Sequence, residues 1–272
     1  MIAYCPKPYF MPVSISHCLL NCAHCRGIYL HQMVRAHSED ELLAFGEQFK
    51  GHGMLISGGF DRDGRLINLK KIHSALSLLK ERFFIAIHPG FIDETLAEEI
   101  SASCHMAFVD IPADEAISPV FGLNASTDDY IHTMEMLLDA GVKVSPHITI
   151  GLHFGEVKEY EVFDRIKNYR YEKLVVNMVV PTAHTPFEKV HVNPQEVLEF
   201  IGEVKKFGKP YAIGCMRPRM LDRELIDLGV TEMANPSREA LVYAEKRGID
   251  VGVLHWCCGV PERDILEYHQ RP

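Results

Sequence analysis

Residues 53–60, Gly-Met-Leu-Ile-Ser-Gly-Gly-Phe, pass from a short apolar stretch straight into a glycine turn, and residues 83–89, Phe-Phe-Ile-Ala-Ile-His-Pro, pass from another into His88-Pro89. The pattern recurs from one end of the chain to the other. Short β-type runs alternate with helix-length amphipathic segments, as they do where βα units build a parallel sheet. The spacing predicts eight strands: Met11–Ile15, Gly53–Ile56, Phe83–Ile87, His105–Asp110, Val142–Ile150, Leu174–Val180, Pro210–Gly214 and Val251–His255. Between them, Ser38-Glu39-Asp40-Glu41 opens a helix with a capping box, and Thr127-Asp128-Asp129 starts one that stops at Gly141. Asn193-Pro194 opens a helix through Lys205, and another begins near Pro236-Ser237 and ends before Gly248. No linker, repeat or low-complexity stretch interrupts the 272 residues. The expected fold is α/β, a (βα)-barrel of the TIM type in a single domain over residues 1–272, with its last strands allowed to be irregular. Residues 1–10 then form an N-terminal extension and 250–272 a C-terminal segment.

A chain that is 47% hydrophobic and 24% charged can bury a substantial core. Its 28 Lys+Arg against 37 Asp+Glu give a net charge of −9. That charge repels a phosphate backbone and gives no general attraction to anionic membranes, so neither nucleic acid nor membrane is expected as a partner. Nowhere do about 18 consecutive apolar residues occur, and Met1-Ile2-Ala3-Tyr4-Cys5-Pro6 lacks the plan of a signal peptide; a cytoplasmic location is expected. In that compartment eight cysteines suit metal binding or catalysis better than disulfides. Cys18, Cys22 and Cys25 are crowded together, Cys5 precedes them, Cys104 and Cys215 are solitary, and Cys257-Cys258 are adjacent.

In a (βα)-barrel the functional groups sit in loops after the C-terminal ends of the strands. The first such loop carries Cys18-x3-Cys22-x2-Cys25. Three thiolates at this spacing wrap three irons of a [4Fe–4S] cube and leave the fourth iron open to a chelating ligand. A zinc site completed by His17 or His24 is the competing reading of the same residues. His88, His147, His153, His184 and His255 fall at or near strand ends, and His88 and His153 are the two expected to touch substrate or cofactor.

The cysteine spacing after the first strand resembles the signature of the radical S-adenosylmethionine (SAM) superfamily. The resemblance implies that the open iron chelates SAM, that Cys18, Cys22 and Cys25 are the catalytic ligands, and that His24 lies near the adenine. Ser57-Gly58-Gly59-Phe60 is similar to the family's Gly-Gly-Glu motif, whose backbone receives the methionine amino group; Phe60 departs at the acidic position. Residues 139–156 and 176–186 resemble the biotin synthase branch, which implies adenosine contacts at Ile150, Val179 and Pro181. Asp110 is expected to accept hydrogen bonds from a ribose hydroxyl or the methionine ammonium. Arg217, in Gly214-Cys215-Met216-Arg217, stands where that branch has an arginine ligand to a second cluster.

The remaining thiols Cys5, Cys215, Cys257 and Cys258 offer four soft ligands for a second [4Fe–4S] cluster. A second cluster beside a radical source is the arrangement of sulfur-inserting enzymes. The chain also resembles a subunit of the archaeal-type two-component lipoyl synthase. That likeness implies sulfur insertion into an octanoyl chain on a lipoyl carrier protein, with a sister radical SAM subunit and ferredoxin or flavodoxin as electron donor. The alternative is a radical SAM isomerase, maturase or synthase without sulfur transfer, and a non-enzymatic zinc module is a third reading.

Overall fold

The computed structural model describes residues 1–270 and gathers them around one sheet of eleven strands. In chain order these are β1 (Ile2–Tyr4), β2 (Phe10–Ser14), β3 (Val34–Arg35), β4 (Gly53–Ser57), β5 (Phe84–Ile87) and β6 (Met106–Asp110). They continue with β7 (Lys143–Ile150), β8 (Leu174–Met178), β9 (Tyr211–Ile213), β10 (Glu232–Ala234) and β11 (Gly252–Leu254). All eight expected strands are present, their ends shifted by one or two residues. The three unexpected ones, β1, β3 and β10, are two or three residues long, too short for an alternation to show.

Every pairing is parallel, in the order β11-β1-β10-β9-β8-β7-β6-β5-β4-β2-β3, and the sheet curls into a half-barrel with β11 and β3 at its edges. The TIM-type barrel expected from the sequence is therefore present as an open half-barrel. Residues 2–4, expected in an N-terminal extension, instead form a strand seated between β10 and β11.

Side chains alternate across the strands, and the alternation sorts them into two cores. Met54, Ile56, Ile85, Ile87, Ala107, Val109, Val176 and Met178 pack with helix residues such as Leu76, Ile100 and Leu137 on the outer face. Phe84, Ala86, Met106, Phe108 and Val175 point the other way and form a second cluster inside the curl with Trp256, Cys258, Val260 and Ile265. The C-terminal segment thus fills the lumen. It is fastened there by the Ser145 hydroxyl, which donates to the Gly259 carbonyl at 2.8 Å, and by the Lys173 ammonium, which donates to the Val260 carbonyl at 3.2 Å. The Tyr268 hydroxyl donates to the Arg82 carbonyl at 2.9 Å, and the Trp256 ring stacks on His52 at 4.4 Å. This plug covers apolar surface that barrel closure would otherwise remove from water.

The helices begin where the sequence signals them. Ser38 caps Glu39–Gln48 by accepting from the Glu41 amide, although the Glu41 carboxylate takes the His37 amide in place of the capping residue's own. Ser126 and Asp129 form a complete capping box on Thr127–Asp139. Asn193 and Ser237 cap Pro194–Phe207 and Arg238–Lys246. Among the described residues no helix is long and apolar enough to cross a membrane.

Candidate active site

The segment after β2 turns back on itself twice. Asn21 adopts a left-handed conformation, which asparagine tolerates better than most residues, and the Cys25 and Arg26 amides both donate to the Cys22 carbonyl. One ligand atom each from Cys22, His24 and Cys25 lies within 4.8 Å of the others. Cys18 stands just outside this group, its thiol 3.9 Å from the Phe60 carbonyl, and its charge still reaches Cys22. Hydrogen bonding from Cys22, ahead of opposing burial and help from His24, lowers the Cys25 thiol to about 4, while the same bond raises Cys22. Cys25 is therefore held as a thiolate, the form in which sulfur binds metal.

The Gly58–Gly59 turn after β4 presses directly against this loop. A Cβ on Gly59 would meet the Cys18 nitrogen and the His17 carbonyl group at 2.1 Å, so glycine is obligatory there. The Ser16 hydroxyl donates to the Gly59 carbonyl at 2.9 Å and accepts from its amide at 3.0 Å. With the Ile67 amide also on that carbonyl, the Gly59 peptide is spent on internal bonds. Gly58 takes part in none of the described backbone hydrogen bonds and lines a cavity of 300 Å³ together with Ser57, Cys18, Cys22, His24 and Cys25. The edge open to a ligand is thus Gly58. A carbonyl oxygen also contributes at the departed acidic position, since Phe60 accepts the Leu19 amide at 2.8 Å.

His24 lines the same cavity among Tyr29, Phe121 and Phe187, with its Nδ1 buried and without a partner. The loop is tied to the segment after β8 by Tyr29 and Thr182 hydroxyls 2.9 Å apart and by Arg26, which donates to the His184 carbonyl at 3.0 Å. Pro181 is exposed beside that tie, whereas Ile150 and Val179 lie in the core on the helix side of the sheet, away from the cavity lining.

Inside the curl, the alternation of Phe84-Ala86 on β5 continued to His88 just past it, Phe108-Asp110 on β6 and Ser145-His147 on β7 brings His88, Asp110 and His147 together. Asp110 pairs in register with His147. His88 Nδ1 is 3.5 Å from one Asp110 oxygen and His147 Nδ1 3.6 Å from the other. Burial pushes the His88 imidazole down to about 4. Enclosure by the surrounding residues would raise Asp110, whose side chain still opens to the cavity, but His88 and then His147 outweigh it and hold the carboxyl at about 2. Among the described residues this trio and the Cys22-His24-Cys25 group are the two sets whose ligand atoms converge within 4.8 Å. Sequence reading singled out His88 and Asp110 but missed their meeting with His147; period-two alternation on adjacent strands was the available signal.

Arg217 is committed elsewhere. Its guanidinium is fully buried, donating to Asp222 at 2.7 Å and to the Gly214 and Ala234 carbonyls at 2.7 and 2.6 Å, with Nη2 left without a partner. It clamps the loop after β9 to the end of β10. Cys5 follows β1, Cys215 follows β9, and Cys257-Cys258 follow β11, so the sheet order brings all four thiols to one corner. Hydrogen bonding from Cys258 lowers Cys257 to about 7 despite burial, and Cys258 is raised in return. These four do not converge within 4.8 Å as the first loop does.

Neither family models nor curated proteins match the sequence. Solved structures do match in fold. Methylornithine synthase (PylB) superposes with a TM-score of 0.63 at 12% identity, covering 97% of this chain and 86% of its own. Streptococcus suis SuiB gives 0.59 at 14%, covering 83% of this chain and 54% of its own, and a structure of it with S-adenosylmethionine bound gives 0.58. The anSMEcpe protein with bound AdoMet and the Kp18Cys peptide gives 0.52 at 15%, covering 85% and 68%. At such identities the likeness is one of fold.

The residues present fit an iron–sulfur cluster with SAM. Three cysteines crowd one loop, the Cys25 thiol lowered by its bond with Cys22, at the mouth of a cavity and beside a free glycine edge.

Proposed function

We propose that the chain is a radical SAM enzyme, with a [4Fe–4S] cluster on Cys18, Cys22 and Cys25 and SAM in the adjoining cavity. The observation that carries this reading is the pressing of the Gly58–Gly59 turn onto the three-cysteine loop at that cavity. When bound, the cluster supplies the electron for reductive cleavage of SAM and hence a hydrogen-abstracting radical. The chain's own residues bind and position. Gly58 presents amide and carbonyl to the methionine end, and His24 and its aromatic neighbours offer flat surfaces to the adenine.

Within this class we favour sulfur insertion into a carrier-bound octanoyl chain, shared with a sister subunit and fed by ferredoxin or flavodoxin. Its support is the collection of Cys5, Cys215, Cys257 and Cys258 at one corner, where a second [4Fe–4S] cluster would sit. A radical synthase or isomerase without sulfur transfer is the second reading, favoured by the fold likeness to methylornithine synthase over 97% of the chain. Metal analysis after anaerobic reconstitution separates them. About eight irons per chain, falling to about four when Cys215, Cys257 and Cys258 are changed to alanine, fits sulfur insertion. About four irons in both proteins fits the second reading, and zinc without iron overturns the class.

A further inference from the structure

We propose that His88, Asp110 and His147 form a second metal site, independent of the cysteine loop, that takes one divalent transition-metal ion such as Fe2+, Mn2+ or Co2+. His88 directly follows β5, Asp110 ends β6 and His147 lies within β7 in register with Asp110, all on the lumen face with converging ligand atoms. Their separations are the first argument. At 3.5 and 3.6 Å, the imidazole–carboxylate distances are longer than the roughly 2.7–3.2 Å of a direct N–H···O bond. Two donors about 2.1 Å from a shared ion, at angles of 90–120°, lie roughly 3.0–3.6 Å apart. The trio is spaced for an ion between its members.

Burial is the second argument. His147 is 8% exposed and its Nε2 is enclosed without a hydrogen-bond partner, which leaves Nδ1 as the nitrogen that faces Asp110 and an ion. The ring is held flat by stacking on Phe108 at 5.1 Å, and the His88 ring lies 5.0 Å away. Asp110, by contrast, opens to the cavity, its side chain 58% exposed, and His88 and Asp110 both line that cavity. Two imidazoles and one carboxylate suit the borderline transition metals better than Mg2+ or Ca2+. Three protein ligands on one side leave positions open toward the cavity, where a substrate oxygen or nitrogen reaches the ion.

The test uses Mn2+, which thiolates bind poorly, so that the cysteines do not compete. Reconstituted protein, dialysed against a chelator, is titrated with Mn2+ and the free ion read by its electron paramagnetic resonance signal. One Mn2+ per chain is expected. Asp110→Asn keeps the shape of a side chain that already opens to the cavity, so it tests binding without threatening the fold; it is expected to weaken binding by more than the roughly 10–100-fold lost with an outer hydrogen-bond partner. His88→Ala is expected to act likewise, and Cys22→Ala to leave Mn2+ binding unchanged while removing cluster iron. No saturable Mn2+ in the wild type, or unaltered binding in Asp110→Asn, overturns the site. Failure of the cluster assignment shows separately, as absent iron and sulfide in the wild-type protein.

Discussion

Gly59 sets the distance between the second loop of the half-barrel and the first. Because its missing side chain would fall on backbone atoms of His17 and Cys18, Gly59→Ala must push the cysteine loop away. The expected outcome is loss of cluster incorporation, read as loss of iron and sulfide, in a protein whose far-ultraviolet circular dichroism is preserved. Phe60→Ala is expected to be mild, because the Phe60 carbonyl, not its ring, holds the Leu19 amide and faces the Cys18 thiol. SAM affinity should fall about tenfold or less in equilibrium dialysis. Glu159 gives a pH signature. It is buried while accepting the Gly151, Leu152 and Lys158 amides, and burial raises its carboxyl to about 7 despite those bonds. The folded state therefore holds a proton that the unfolded state has released, and stability falls as pH rises from about 4.5 to 7. Glu159→Gln should flatten that part of a plot of Tm against pH; an unchanged slope contradicts the assignment.

At the scale of elements, eight strands were legible in the sequence, β9 and β11 among them although only three residues long, and β1, β3 and β10 were not. Missing β1 had consequences. With Ile2–Tyr4 placed in the sheet between β10 and β11, the Cys5 amide bonds the Leu254 carbonyl at 2.8 Å beside the segment that carries Cys257. Arg217 illustrates the reverse case. The sequence marked it as a ligand, yet its neighbours make it the clamp between β9 and β10, with Asp222 also accepting the Ser237 amide at 2.8 Å. Asp222→Ala leaves a buried guanidinium without its counterion and should cost about 3–5 kcal/mol in chemical denaturation. The lumen plug is equally testable. Trp256 packs on Phe10, Phe84 and Tyr268. Trp256→Ala should cost about 3–5 kcal/mol.

For the whole molecule, the parallel α/β plan and the three-cysteine loop were legible because each is encoded locally, by alternation or by spacing. Openness of the barrel was not, since it depends on whether edge strands meet and on a C-terminal segment folding back into the lumen. The meeting of His88, Asp110 and His147 lay between these extremes, local in each strand but dependent on register across three. The measurement that tests the central claim most directly is 5′-deoxyadenosine formation from SAM by the anaerobically reconstituted, reduced protein. The account predicts this product, at about four cluster irons held by the loop, and its loss in each of Cys18→Ala, Cys22→Ala and Cys25→Ala. Product retained in any of the three variants, or zinc in place of iron in the wild type, would contradict it.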